Sequence, residues 1–305
     1  MIAIIDSGST KSDWLIVDSE GMEQFRTKTI GMNPYFVSSE DIADEISKNQ
    51  DLMKQASMIS HIFFYGAGCS TSEYNKVLEK GLAQIFKKSK IRIEHDLLAA
   101  AYSAYRNRPA IVCILGTGSN SCYFDGRKLY EETPSLAFIL GDEGSGSNLG
   151  KRIIRSYFLK KMPKRLSRTF KERFNLTLKE LNKNVYDNKF ANAYLASFSR
   201  FVIDYKHEPF IQKIIYDSLN EFMINQVLVY PQAKSVELNF IGSIAHFYED
   251  TLAAVASEYH LKIGEIIKNP IDNLVRYHAI HIIPKLKPLK DSEPQGASQE
   301  SKASG

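Results

Sequence analysis

Asp6 closes the apolar run at residues 2–5 and is followed by Ser7-Gly8-Ser9-Thr10-Lys11, a loop of small and hydroxyl residues. A carboxylate at the end of a buried strand can hold a hydrated Mg2+, and the N–H groups and hydroxyls of such a loop can bond phosphate oxygens. The same residues also suit an ordinary hairpin turn, since Gly8 tolerates unusual backbone angles and a second apolar run follows at 14–17. A similar stretch, Gly116-Thr117-Gly118-Ser119, follows the apolar run 110–115. It is not the dinucleotide fingerprint, because the third glycine and the following helix are missing, and the chain has no Walker A loop. Gly242-Ser243 stands where the strand-like segment 235–241 gives way to a helical pattern, a place that can take a nucleotide's base or phosphates.

Asp96 is a second carboxylate of interest. The alternating segment 91–94 delivers His95-Asp96 to the start of a helical pattern at 97–105. Ligands of open α/β sheets gather outside such strand ends, and Asp is also a good helix N-cap. Asn33 precedes Pro34, which holds it extended, so its amide either points into a cleft or serves the turn at 31–34. The run 141–150 contains Gly141, Gly144, Gly146 and Gly150 around Asp142 and Glu143, which implies a loop that bends sharply or approaches a ligand closely.

The elements that must position these residues are legible as alternating strand and helix patterns. Strands are expected at 2–5, 14–17, 24–29, 61–65, 91–94, 110–115, 122–124, 128–130 and 235–241, with a further short segment at 261–267. Helical patterns run from Ser38 or Ser39 to about 54, over 72–88 and 97–105, through most of 150–229, and over 246–259 and 272–280. Strand, Gly/Ser/Thr turn and strand thus recur about 110 residues apart, which suggests two lobes of one plan facing each other across a cleft.

Composition bounds the rest. The 305 residues suit roughly two domains, and the formal charge of +4 gives no reason to expect nucleic acid or a membrane surface as partner. There is no apolar run long enough to span a bilayer, and the first residues are strand-like and not leader-like, so a cytoplasmic protein is expected. Cys69, Cys113 and Cys122 form no metal motif, and the last two read as buried thiols in strands. His278 and His281 lie three apart without a third ligand. The stretch 151–171 carries nine Lys or Arg and no Asp or Glu, which reads as a solvated helical face or as a patch for an anion.

Taken in order, the segment from Asp6 to Trp14, Asn33-Pro34, His95-Asp96, Leu115 to Ser119, Gly141 to Gly146 and Ile241 to Ser243 resemble the BadF/BadG/BcrA/BcrD ATPase family. Within it they are most similar to the N-acetylglucosamine kinase branch, part of the actin, Hsp70 and sugar-kinase superfamily. The resemblance covers roughly residues 1–283; each motif alone is weak, and their order is specific. It implies an α/β fold of two ribonuclease-H-like (actin-like ATPase) lobes around a nucleotide cleft, at 1–107 and 108–284. The second lobe is expected to carry a helical insertion and the last helix to pack back on the first lobe, while the Pro, Ser, Gln, Gly and Lys that dominate 285–305 predict a disordered tail.

The resemblance further implies ATP and Mg2+. Asp6 would hold the metal through water. Ser7, Gly8, Ser9, Thr10 and Lys11 would form the first phosphate loop and Gly116, Thr117, Gly118 and Ser119 the second, with Gly242 and Ser243 beside the adenosine. Asp96 would be the base that takes the sugar hydroxyl proton, and Asn33, Ser119, Asn120 and Asp142 would bond the sugar. The implied reaction is phosphorylation of an N-acetylated amino sugar, N-acetylglucosamine at O6. The implied partner is a small-molecule sugar, with a homodimer expected from the resemblance alone. Alternatives are an ATPase that activates a partner enzyme and an actin-like nucleotide-binding protein. Two departures stand out: Ser7 and Ser9 replace glycines of the first loop, and residues 135–138 lack the tryptophan found in some of these kinases.

Overall fold

The computed structural model describes residues 1–286. The first half contains β1 (Ile2–Ser7), β2 (Lys11–Val17), β3 (Glu23–Ile30), α1 (Ser39–Ser47), α2 (Gln50–Gln55), β4 (His61–Gly66), α3 (Ser72–Ile85), β5 (Lys90–His95) and α4 (Asp96–Ala104). The second contains β6 (Ala110–Leu115), β7 (Ser119–Phe124), β8 (Leu129–Tyr130) and the helices α5 (Ala137–Leu140), α6 (Gly146–Phe158), α7 (Lys164–Phe174), α8 (Leu178–Tyr186), α9 (Ala191–Ser197), α10 (Ser199–Asp204) and α11 (Pro209–Phe222). It ends with β9 (Glu237–Ile241), α12 (Ser243–Phe247), α13 (Glu249–Glu258), β10 (Lys262–Ile267) and α14 (Ile271–Tyr277).

The strands form two five-stranded sheets, ordered β3-β2-β1-β4-β5 and β10-β9-β6-β7-β8. Each is an antiparallel three-strand meander joined through its first strand to two parallel strands. The two orders are the same plan read from opposite ends, so the repeat seen at the two Gly/Ser/Thr turns extends to whole sheets. Strand composition follows position. β4 is buried along its whole length, as a central parallel strand covered on both faces must be. β3 is an edge strand with exposed Glu, Gln and Lys side chains, which discourages pairing with another chain.

The alanine-rich helix α4 lies between the sheets. Leu97, Ala100, Ala101 and Ala104 pack with Val112, Cys122, Phe124 and Ile241 of the second sheet. Ala99, on another face, joins Ile4, Leu15, Phe63 and Tyr65 of the first. Small side chains allow this double contact within one helix diameter. The last helix returns to the first sheet, where Ile271, Leu274, Val275 and Ile283 join the same apolar cluster.

After α14 the helix widens into a π-type turn over His278–Ile282. His278 is fully buried there and its Nε2 lies 2.8 Å from the Tyr65 hydroxyl. Burial, helped by the Arg92 charge, lowers its pKa from 6.5 to about 3. A histidine held neutral in the fold and free to charge when unfolded contributes stability that is present above pH 6.5 and lost as pH falls toward 3. His278→Gln is therefore expected to flatten the fall in urea midpoint between pH 7 and pH 5; an unchanged slope would exclude His278 as its source.

Several expected boundaries shift for local reasons. The single helix expected at 39–54 breaks at Asn49, whose Oδ1 accepts from the Leu52 N–H at 3.2 Å and caps α2. Its Nδ2 meanwhile donates to Thr27 Oγ1 at 2.8 Å. The helix expected at 72–88 stops at Ile85. The one expected at 246–259 is two helices, starting three residues earlier and parted at Tyr248 (φ −120°, ψ 29°). Half of the glycine-rich run is not loop, because Ser145 caps α6 and Gly146–Gly150 form its first turns. Of the expected tail, Lys285 ends a short 3-10 turn and Leu286 packs on the first-sheet cluster; the rest lies outside the described residues. Among the described residues no helix is long and apolar enough to cross a membrane.

Candidate active site

The two Gly/Ser/Thr turns are built alike. The Gly8 N–H donates to the Lys11 carbonyl at 2.9 Å, and the Gly116 N–H donates to the Gly118 carbonyl at 2.9 Å. Those bonds close the turns and leave the backbone N–H groups of Ser9, Thr10, Thr117 and Gly118 without an acceptor among the described residues. Each turn follows the first parallel strand of its sheet, so both stand at carboxyl ends of parallel strands.

The first turn is braced from below. The Ser7 hydroxyl is buried, 2.7 Å from the Ser12 hydroxyl, and accepts from the Met32 N–H at 3.1 Å. The Ser7 carbonyl accepts from the Ala67 N–H at 2.9 Å. Ser7 thus serves the scaffold, and the exposed Gly8, Thr10 and Lys11 with the half-buried Ser9 form the open part of the turn. Gly31 presses against this turn; a Cβ there would stand 2.4 Å from the Gly8 carbonyl oxygen. Asn33 is buried beside it. Its Oδ1 accepts from the Tyr35 N–H at 3.0 Å, and its Nδ2 lies 3.5 Å from Ser9 Oγ, so the turn-forming role predominates and only the amide NH2 faces the loop. Lys11 Nζ donates to Asp13 at 2.6 Å.

Asp6, Asp13 and Asp96 concentrate negative charge near the first turn. Asp6 sits opposite Asp13 in the β1–β2 ladder and beside Tyr65 of β4. Burial first, then the charges of Asp96 and Asp13, push its carboxyl from 3.8 up to about 7 against the pull of Lys11. Asp96 is the first residue of α4; the N-cap position is held by His95, whose side chain makes no cap bond. Burial raises the Asp96 carboxyl as well, with His95 and the N–H groups of Leu97 and Asp96 acting in the opposite direction. Asp13 is paired with Lys11 and Lys28, which leaves Asp6 and Asp96 as carboxylates without a bonded cation; their oxygens are hard donors of the kind Mg2+ takes.

The Asp6 shift has a sign that can be checked. Its folded pKa lies above its unfolded one, so its stabilising contribution, full below pH 3.8, is lost as pH rises through about 7. Asp6→Asn removes that loss. In metal-free buffer the variant is expected to melt above wild type at pH 8, with the gap closing toward pH 5. A gap that widens on acidification would contradict this origin.

The second turn is braced by the start of α6. Gly146 and Ser147 N–H groups donate to the Gly116 and Thr117 carbonyls at 2.8 and 3.0 Å. Asp142 Oδ1 accepts from the Ser119 N–H at 3.0 Å, and the Ser119 hydroxyl donates to the Glu143 carbonyl at 2.6 Å. Asp142 has positive φ (61°), and burial is the main cause that raises its carboxyl. Of the residues expected to bond sugar, Ser119 is thus committed to the scaffold through both its N–H and its hydroxyl. Asp142 is half committed. Asn120 uses its Oδ1 on the Ser121 N–H at 2.9 Å and keeps its amide NH2. Gly242 touches the base of this turn: a Cβ would lie 2.4 Å from the Leu115 carbonyl oxygen. Ser243, exposed, begins α12.

Charge coupling links the two halves of the site. Asp96 acts on Asp6 of the first sheet and is itself acted on by Glu131, which follows β8 of the second. Phe36 and Phe190 also meet across the lobes with ring centres 5.6 Å apart. Sequence reasoning missed Asp13, whose alignment with Asp6 follows from the hairpin register, and Glu131, which no local pattern marks. It also missed Lys151, a half-buried cation whose Nζ donates to the Phe138 carbonyl and whose charge acts on Asp142. Burial lowers the Lys151 pKa, with Asp142 and Glu143 partly offsetting it. The three cysteines are free and buried, Cys113 and Cys122 on the paired strands β6 and β7. Among the described residues no group of three or more His, Cys, Asp and Glu is placed to hold a metal ion by itself.

No protein-family profile matches the chain, and neither does any curated protein sequence. Solved structures do match. A candidate N-acetylglucosamine kinase from Porphyromonas gingivalis is 35% identical, with a TM-score of 0.84 over 92% of this chain and 99% of that one. A candidate N-acetylglucosamine kinase from Chromobacterium violaceum shares 15% identity and a TM-score of 0.64, over 91% and 99% of the two chains. A ROK-family glucokinase from Streptomyces griseus, solved with glucose and AMPPNP, shares 14% identity and a TM-score of 0.54, over 90% and 97%. The latter two establish likeness of fold.

Proposed function

The chain belongs to the N-acetylglucosamine kinase-like family of actin-fold, ATP-dependent sugar kinases, and from that membership we propose that it phosphorylates an N-acetylated amino sugar, N-acetylglucosamine at O6. The observation that carries this reading is the pair of matched turns with free backbone N–H groups, one per sheet, with Asp96 coupled by charge to Asp6 beside the first. Such a cleft suits phosphoryl transfer, in which alignment and charge neutralisation supply most of the rate.

Asp96 accepts the proton of the sugar hydroxyl, whose oxygen bonds to the γ-phosphorus while the bond to the β-phosphate oxygen breaks and ADP leaves. A carboxyl raised by burial suits a general base working near neutral pH. Ser9 and Thr10 on one side, and Thr117 and Gly118 on the other, donate to phosphate oxygens, with the Thr10 hydroxyl and Lys11 at the rim. Asp6, with Asp13 behind it, would hold Mg2+ through water, and the ion would supply positive charge to the phosphates. Gly242 and Ser243 lie beside the adenosine. Asn33 and Asn120 offer their amide NH2 groups, and Asp142 its second oxygen, to the sugar; Ser119 acts by holding Asp142. The reading also takes the protein to be cytoplasmic and homodimeric.

Activation of a partner enzyme through an intersubunit iron–sulfur cluster is disfavoured. Cluster ligation needs accessible thiolates, whereas burial pushes the thiols of Cys69, Cys113 and Cys122 up. An ADP-release assay over N-acetylated and plain sugars, with a no-sugar control, tests the reading. N-Acetylglucosamine is expected to stimulate release above the control, and stimulation by no member of the panel would refute it.

A further inference from the structure

The basic stretch 151–171 finds only part of its use in the cleft. The first turns of α6 brace the second Gly/Ser/Thr turn, but its outer half faces away from it. Arg155 lies nine residues beyond Gly146, roughly 14 Å along the helix axis. There α6 and the turn after it meet α11 around an open surface pocket of about 330 Å3.

Four cations line this pocket: Arg152, Arg155, Lys161 and Lys213. Two are compensated. Lys213 Nζ bonds both oxygens of Asp217, also in the wall, at 3.0 and 2.9 Å. Arg152 is paired with Glu221 and donates to Asn148 Oδ1 at 2.6 Å. Arg155 and Lys161 are exposed and form no ion pair among the described residues. Leu159, Phe210 and Ile214 add an apolar surface to the same pocket.

We infer that this pocket is a binding site for a phosphate monoester, with the phosphate between Arg155 and Lys161 and the organic body against Leu159, Phe210 and Ile214. A guanidinium offers paired donors that match phosphate geometry, and an ammonium adds an adjustable point charge. Two uncompensated cations beside an apolar wall favour a dianion with a carbon skeleton over a bare carboxylate. The product of the proposed reaction falls in this class, an extension that rests on the kinase reading; the site itself does not.

Isothermal titration of the full chain, with the cleft saturated by AMPPNP, tests this with inorganic phosphate and with glucose 6-phosphate as probes. Wild type is expected to bind glucose 6-phosphate, and Arg155→Glu/Lys161→Glu to lose about tenfold or more in affinity at an unchanged melting temperature. Both side chains are exposed, so the variant should fold. No binding by wild type, or equal binding by the double variant, overturns the proposal. Inorganic phosphate binding as tightly as the sugar phosphate would overturn the monoester assignment and leave a site for the free anion. None of these outcomes bears on sugar-stimulated ADP release, so failure here stays separate from failure of the kinase reading.

Discussion

Asp96→Asn should bind AMPPNP as wild type does and turn over ~10²–10⁴-fold more slowly, the usual contribution of a positioned general base. The change is nearly isosteric at the first residue of α4, one position after the N-cap, and the asparagine oxygen can still accept from the helix N–H groups. It removes a carboxyl that burial has raised toward the working pH. The amide has no basic oxygen able to accept the hydroxyl proton, while the turns that bind phosphate are untouched. Loss of the Asp96 charge should also ease the repulsion on Asp6, so metal-free stability at pH 8 should rise slightly and not fall. Paired measurements of nucleotide affinity and kcat separate the outcomes. Near wild-type turnover would remove Asp96 from the role of base.

Gly242→Ala is expected to damage fold and nucleotide site together. Gly242 has φ 120° and ψ 167°, a region that other residues occupy only at a cost of about 1–3 kcal/mol. A Cβ there would lie 2.4 Å from the Leu115 oxygen and 2.9 Å from its carbonyl carbon, both backbone atoms that cannot swing aside. Forcing it in must spread β9 from β6 beside the Ile114–Ile241 pairing, or shift Gly116. Overpacking of this kind costs about 1–3 kcal/mol more. A total of about 2–6 kcal/mol is a large share of a typical domain's stability, so the melting temperature should fall by roughly 10 °C. Affinity for ATP should fall by about tenfold or more in the fraction that remains folded, since 1.4 kcal/mol lost at the turn suffices for that. Thermal melts and an ATP titration on the same preparation check both; unchanged values in either would show that Gly242 does not constrain the turn.

The duplicated plan was legible because each copy begins with a dense local signal. A buried apolar run, a turn of small residues and a second apolar run stand together at 2–17 and again at 110–124. Helix ends were less legible where a distant partner decides them. Asn49 breaks a helix because Thr27, twenty-two residues earlier, fixes its amide while its oxygen caps α2. The run 141–150 reads as loop by its glycines, yet Ser145 caps a helix whose first N–H groups are held by Gly116 and Thr117.

The same distinction runs through the site. The motifs located the turns and the carboxylates, but not which polar atoms remain free. Ser7 reads as a phosphate ligand from its neighbours, and its hydroxyl is taken by Ser12 and Met32. Ser119 reads as a sugar ligand, and Glu143 takes its hydroxyl. Asp13 lies within the quoted motif but acquires meaning only through register, which sets it opposite Asp6. In each case the deciding partner comes from another strand or loop, and short spacing rules do not carry that information.

The kinase assignment meets its most direct test in the product itself, followed by phosphorus NMR of the chain with ATP, Mg2+ and N-acetylglucosamine. The expected spectrum gains a phosphomonoester resonance coupled to the C6 protons, growing in step with ADP and absent without the sugar. A spectrum in which ADP grows only alongside inorganic phosphate, with or without the sugar, would contradict it.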